Sequence, residues 1–378
     1  MIEKGKISAY QLGLLIYPTI YATAVLFVPA VTGKYAGRDM WLSPILGSIT
    51  GFITALILYR LHKSYPDETI IQYSKHIIGR KLSFILSFLY IFFFLFLCGF
   101  IMREYATFII TSFLPRTPLI VIIVSFVLVC AVAVSGGVEV LGRAANIFVP
   151  LFIFPIPIFV LLLTGDMDLK NALPILEDGL KPAILGAVSP HGWFSEVFLI
   201  SMLLPYVGNR EKGLKWTLIS IVAVITSLVS LNLMCIFLFG EITASYTYPV
   251  FKAIRYISVS EFFEHLEAAI ISVWIIGAFV KMTVFYYALV LGTAQWLQLS
   301  DYKPIVLPLG FIITLFSIWE FDNLQEQIRF SETVFPFYVP FMLTLIPFLL
   351  LVIDWVRKGW RRNKDGVKRK LDIKNFDS

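Results

Sequence analysis

The chain has 378 residues, of which 58% are hydrophobic and 15% charged, with a formal net charge of +6 and a mean hydropathy of +0.83. Soluble domains carry about a quarter charged residues, so this composition excludes a water-soluble globular enzyme. The basic balance is no nucleic-acid signal either, because it lies mostly after Ile353. Charge elsewhere is confined to short islands between apolar runs of about 20 residues, the length that crosses a bilayer core as one helix. The composition therefore predicts an all-α, polytopic integral membrane protein.

In chain order, hydropathy marks ten segments, at about 9–32, 41–60, 83–113, 119–135, 145–164, 186–207, 217–239, 268–298, 305–319 and 335–356. Lys4, Lys6, the apolar run and Ala22-Thr23-Ala24 imitate a signal peptide with its cleavage site. The run continues through Val31, however, and many more spans follow, so it is read as an uncleaved first helix. The third and eighth segments exceed 30 residues and are expected to tilt or to project beyond the bilayer. With both termini cytoplasmic, the inner segments carry 21 Lys and Arg and the outer loops eight, as the positive-inside rule asks. The basic tail, 357–378, either meets anionic lipid headgroups or is a solvated stop-transfer signal. Two outer loops stand out. Gly165–Pro182 is acidic and punctuated by Pro174 and Pro182. Tyr248–Glu267 has the spacing of an amphipathic helix, lying in the interface or docking a partner.

The first segment contains YPTIYATAVLFVP (Tyr17–Pro29) and the sixth SPHGWFSEVFLISMLLP (Ser189–Pro205). Each is interrupted twice by proline, which removes a backbone donor and clashes with the preceding turn. These segments lie five apart and so run in opposite directions. Interrupted helices at matching places in two inverted halves, here about 9–164 and 186–356 of a single membrane domain, point to a transporter-type binding site. Half-helix amide ends suit a carboxylate and freed carbonyls suit an ammonium, and an amino acid presents both. The alternative is that the prolines only kink packed helices.

Two cations lie inside spans, Arg103 and Lys281. Gly277, Ala288 and Gly292 share the face of Lys281 at 100° per residue, and small residues mark the side of a membrane helix that faces other helices. Lys281 is therefore expected inside the bundle, answered by Glu196, by Glu104 or by carbonyls of a broken helix. Its role is either to replace a transported cation or respond to ligand, or to hold the bundle as a salt bridge. His191 is a ligand or proton group, or a hydrogen-bonded histidine at the helix break. Cys98, Cys130 and Cys235 sit singly in apolar runs, which disfavours disulfide and zinc readings. No nucleophile–base pair, metal cluster or nucleotide loop is evident, so an enzyme is not expected and no cofactor is implied.

LPILEDGLKPAILGA (Leu173–Ala187), HLEAAIISVWIIGAF (His265–Phe279) and SIWEFDNLQEQIRF (Ser317–Phe330), with ten spans and a basic tail, resemble the B-type subunit of bacterial spore germinant receptors. That is the spore-germination permease family of the amino acid–polyamine–organocation superfamily. The resemblance runs nearly end to end. It implies a leucine-transporter-like fold of two inverted five-helix repeats with discontinuous helices 1 and 6. It also implies a spore inner-membrane complex with an A-type membrane subunit and a C-type lipoprotein, and recognition of a small germinant, typically an amino acid. Carried onto this chain, it places the ligand against Ile20, Tyr21, Ala22, Thr23 and Ala24, against Glu104, and against Ser189, His191, Gly192, Trp193 and Glu196. Arg103 and Lys281 would be the intramembrane charges, with Lys281 near the position that sodium occupies in transporters of this fold. Tyr21 departs from the superfamily's usual glycines at the helix-1 break. Two other readings stay open, an active amino-acid–cation symporter and a membrane scaffold with a dead pocket.

Overall fold

A computed structural model describes residues 2–256 and 266–358. Seven helices among them are long and apolar enough to cross a membrane. They comprise α1 (Ala9–Ala36), α2 (Leu42–Ser64), α4 (Arg80–Ser112), α6 (Gly137–Ile153) continued by α7 (Pro155–Leu162), α11 (Gly213–Phe239), α13 (Leu266–Trp296), and the last span. That span opens with α16 (Phe335–Pro340), passes through a π-helical turn at Phe341–Leu345, and ends at Lys358. Two further segments are bent pairs. The first joins α8 (Lys181–Ala187) to Pro190–Tyr206 at 48°, and the second joins Lys303–Trp319 to α15 (Leu324–Thr333) at 97°. The apolar α5 (Leu119–Ser135) has 17 residues and completes the set of hydropathic segments. A short helix, α3 (Ile70–Ile78), connects α2 to α4.

Local chemistry sets the helix ends. Ser8 Oγ accepts from the Gln11 amide at 3.1 Å, and the Gln11 side chain accepts from the Ser8 amide at 2.8 Å, closing a capping box ahead of α1. Gly37 ends α1 at φ +50 and Gly240 ends α11 at φ +56, conformations that favour glycine. Thr69 and Gln72 make a second capping box at α3.

Burial explains the arrangement. From Leu15 to Pro29, α1 is buried at every position, as a helix apolar all round must be when it occupies the centre of a bundle. It packs on α11, α13, α6 and α8, while α13 packs also on α4 and α5. The outer faces of α5, α6 and α7 carry exposed Val132, Ile147, Phe154 and Leu161, the side that meets lipid.

The sixth span is broken as expected. After α8 the chain turns at Val188–Ser189, re-enters as α9 (Pro190–Ser195), tightens to a 3₁₀ turn over Glu196–Leu199 and continues as α10 (Ile200–Leu203). The first span departs from expectation, because α1 is one uninterrupted helix with Pro18 and Pro29 inside it. Each proline costs one amide donor, but neighbouring helices on every side hold the backbone in place. The Tyr105 hydroxyl also donates to the Ala22 carbonyl, at 2.5 Å, and ties α4 to α1. Of the outer loop Tyr248–Glu267, Pro249–Ile254 forms α12. Residues 257–265 of that loop, and the tail beyond Lys358, lie outside the described residues.

Candidate functional site

Three elements converge at mid-bundle. Thr23 lies midway along α1. Trp193 and Glu196 are three residues apart, which places both on one face of the broken span, and Lys281 lies midway along α13. Lys281 is fully buried. Its Nζ donates to Glu196 Oε2 at 2.6 Å and to Thr23 Oγ1 at 2.7 Å. Thr23 Oγ1 also accepts from Trp193 Nε1 at 2.9 Å. The Phe285 ring, one turn along α13, has its centroid 5.6 Å from the ammonium. The buried cation is thus paired and hydrogen-bonded, the condition under which a charge persists in hydrocarbon surroundings. Because the nitrogen bridges α1, the sixth span and α13, displacing any one of them from the others breaks a charge-assisted bond.

Glu104, on α4, is 1% exposed. Both of its carboxylate oxygens are buried and accept no hydrogen bond from any described residue. The group lies within electrostatic reach of Lys281 and Glu196. The site therefore holds two carboxylates and one ammonium. The next residue, Tyr105, ties α4 to α1 through its bond to Ala22.

Of the other residues expected here, Ile20, Ala22 and Ala24 are buried on α1 beside Thr23. Tyr21 is turned toward the fifth span, its ring 5.5 Å from Phe152 and 5.2 Å from Tyr17. Gly192 is required sterically, since a Cβ there would come within 2.7 Å of the Phe335 ring. Ser189 Oγ donates to the Ser331 carbonyl at 3.4 Å. His191 is not brought to the centre. It lines an apolar groove of about 620 Å³ between α2 and the last span, with Thr50, Ile57, Pro336 and Phe341. Two positions along a helix is a 200° rotation, so His191 and Trp193 face opposite ways. Arg103 points elsewhere too, one position and so 100° round α4 from Glu104. Its guanidinium donates to the carbonyls of Ser317 and Ile318 at 3.4 Å and Asp322 at 3.3 Å, closing the end of α14 (Val306–Trp319) at its elbow with α15.

Contacts flank the centre on both sides. On one side Trp193 meets Phe335 with centroids 4.9 Å apart and Phe335 lies 5.7 Å from Phe100, and at the far end of α1 Lys34 pairs with Glu332 of α15 at 2.7 Å. On the other side, the Ile7 amide donates to the Tyr206 carbonyl at 3.0 Å and the Gly208 amide to the Ile7 carbonyl at 2.9 Å. Beside this strap Glu3, 7% exposed, accepts from the Gly5 amide at 2.7 Å, the Val138 amide at 3.2 Å, the Tyr287 hydroxyl at 3.2 Å and the Tyr302 hydroxyl at 3.0 Å. Sequence reasoning missed Glu3, Tyr105 and Phe335. Glu3 stands among lysines like a solvated residue, and three of its four partners are more than a hundred residues away. Nor did sequence place Thr23 in contact with Trp193.

A membrane bundle with a broken sixth span, and with contacts on both sides of a buried charged centre, has the architecture of a secondary transporter. Solved structures agree on the fold. Mhp1, a nucleobase-cation-symport-1 family transporter in a closed conformation with bromovinylhydantoin bound, aligns with TM-score 0.64 and 15% identity over 92% of this chain and 78% of that one. MhsT in complex with L-phenylalanine aligns with TM-score 0.62 and 14% identity over 90% of this chain and 89% of that one. The fold is that of the leucine transporter, a five-plus-five inverted repeat. The chain belongs to the spore germination protein family, whose sequence profile matches residues 6–326. It is 28% identical to spore germination protein KB of Bacillus subtilis (strain 168) over 98% of this chain and 100% of that one. Spore germination protein XB of Bacillus anthracis is 25% identical over 94% of this chain and 99% of that one. This is a transporter-like germination membrane protein, of a family not known for enzymes.

Proposed function

We propose that this chain is a germinant receptor subunit built on a transporter fold, binding a small ligand, an amino acid, between α1, α4, the broken sixth span and α13. The observation that carries this reading is the Lys281 ammonium bonded to both Thr23 and Glu196. In this reading the chain's own cation occupies the position near α1 that a sodium ion takes in transporters of this fold. A tethered cation cannot dissociate, so it cannot be carried down a gradient. It can still register a ligand that changes the geometry of Glu196. Ligand binding then shifts the balance between conformations by as much as its affinities for them differ. The shift passes to an A-type membrane subunit and a C-type lipoprotein in the spore inner membrane, with both termini of this chain on the core side. The 21-to-eight distribution of basic residues supports that orientation.

The test is labelled amino-acid binding and uptake in vesicles containing the purified chain. Saturable binding without accumulation is the expected result. Accumulation driven by an ion gradient would make the chain an amino-acid–cation symporter instead, a reading favoured by its likeness to cation-coupled carriers. Glu196→Gln is expected to alter the ligand response while the protein still inserts into the membrane.

A further inference from the structure

Glu104 is the group that the Lys281 network does not use. It sits at mid-bundle with both oxygens buried and without a hydrogen bond from any described residue. An ionised carboxylate in such a place is costly unless it is paired. The cations within the spans are committed elsewhere. Lys281 is bonded to Glu196 and Thr23, and Arg103, although adjacent in sequence, spends its donors on the carbonyls at the end of α14. Tyr105 spends its hydroxyl on Ala22. The Lys281–Glu196 pair is neutral as a unit, so an ionised Glu104 has no counter-charge of its own among the described residues. The groups that feel its charge are Lys281, Glu196, Tyr105 and Tyr248, the last two neutral phenols.

We infer that Glu104 receives the ammonium group of the ligand, and that the protein discriminates its ligands first by that positive charge. The inference rests on the small-ligand reading above and narrows it. The ligand is a primary or secondary amine carrying its proton, and the amine is the obligatory part of it. The ligand's carboxylate, if it has one, is dispensable, because no cation among the described residues near Glu104 is free to meet it. An isosteric ligand with a hydroxyl in place of the ammonium leaves the carboxylate uncompensated. Sites built around a charged hydrogen-bond partner reject analogues lacking it far more strongly than apolar pockets reject a missing methylene.

The experiment uses the full chain in lipid nanodiscs. Each of the twenty standard L-amino acids is screened for binding. For those that bind, three probes follow: the matching 2-hydroxy acid, the N-acetyl amino acid and the decarboxylated amine. The hydroxy acid and the N-acetyl compound are expected to bind at least about 100-fold more weakly than the amino acid, and the amine within about tenfold of it. Glu104→Gln is expected to weaken the amino acid at least about tenfold while leaving the hydroxy acid unchanged, and Glu104→Asp to retain part of the affinity. Hydroxy acid and amino acid binding equally well to the wild-type chain overturns the inference, whatever the variants do. So does an undiminished affinity in Glu104→Gln. If no amino acid or amine binds the folded wild-type chain, the ligand reading itself fails, an outcome distinct from the other two.

Discussion

Two buried carboxylates divide the molecule. Glu3 accepts two amides and two phenols, and Glu104 accepts nothing from the described residues. Both lie among apolar side chains, yet only the first has been supplied with donors by the fold itself. A fully satisfied buried carboxylate fixes a register, because every donor must be in place to make burying it tolerable. An unsatisfied one destabilises the fold and persists where something other than folding requires it. The Glu3 end therefore looks like a closure, and the Glu104 region like a place where binding occurs.

That contrast can be broken by substitution. The largest effect is expected at neither carboxylate but at the lysine that neutralises Glu196. Lys281→Ala strands Glu196 and should cost about 3–5 kcal/mol, measured as unfolding in detergent, with loss of ligand response. Lys281→Arg should be milder in both, and Lys281→Met with Glu196→Gln should recover most of the stability without the response. Wild-type behaviour of Lys281→Ala would remove the lysine from both roles. Glu3→Gln should cost about 1–3 kcal/mol, since four donors lose a charged acceptor. The same variant should speed labelling of a cysteine placed at Asn209, beside the strap. Tyr302→Phe removes one of those donors and should cost about 1 kcal/mol. Glu104→Gln should change stability least, by less than about 0.5 kcal/mol or in the stabilising direction, because it removes a charge without stranding a partner. Equal costs for Glu3→Gln and Glu104→Gln would erase the distinction.

Sequence revealed the spans because a 20-residue apolar run is a local signal. It revealed that Lys281 faces inward because Gly277 and Gly292 share its face, and it offered Glu196, Glu104 or carbonyls of a broken helix as its partner. Geometry then separated these acids, placing Glu196 2.6 Å from the ammonium. The unbroken course of α1 was not legible. Two prolines in a helix are a local signal for interruption, and the packing that overrides them comes from helices scattered along the whole chain. The partners of Arg103 were not legible for a related reason. A charge within an apolar run signals function by default, but its carbonyl partners lie at an elbow more than two hundred residues away. Glu3 was invisible because none of its distant partners leaves a trace in the residues around it.

The span of the Glu3 contacts also bears on biosynthesis. The bond from Tyr302 closes a separation of 299 residues. During translation Glu3 is made 299 residues before that last donor, which arrives only after eight of the ten segments have been made. The amides of Gly5 and Val138 are available to Glu3 long before the two phenols are, so a product truncated before α13 would keep the first pair of bonds and lack the second.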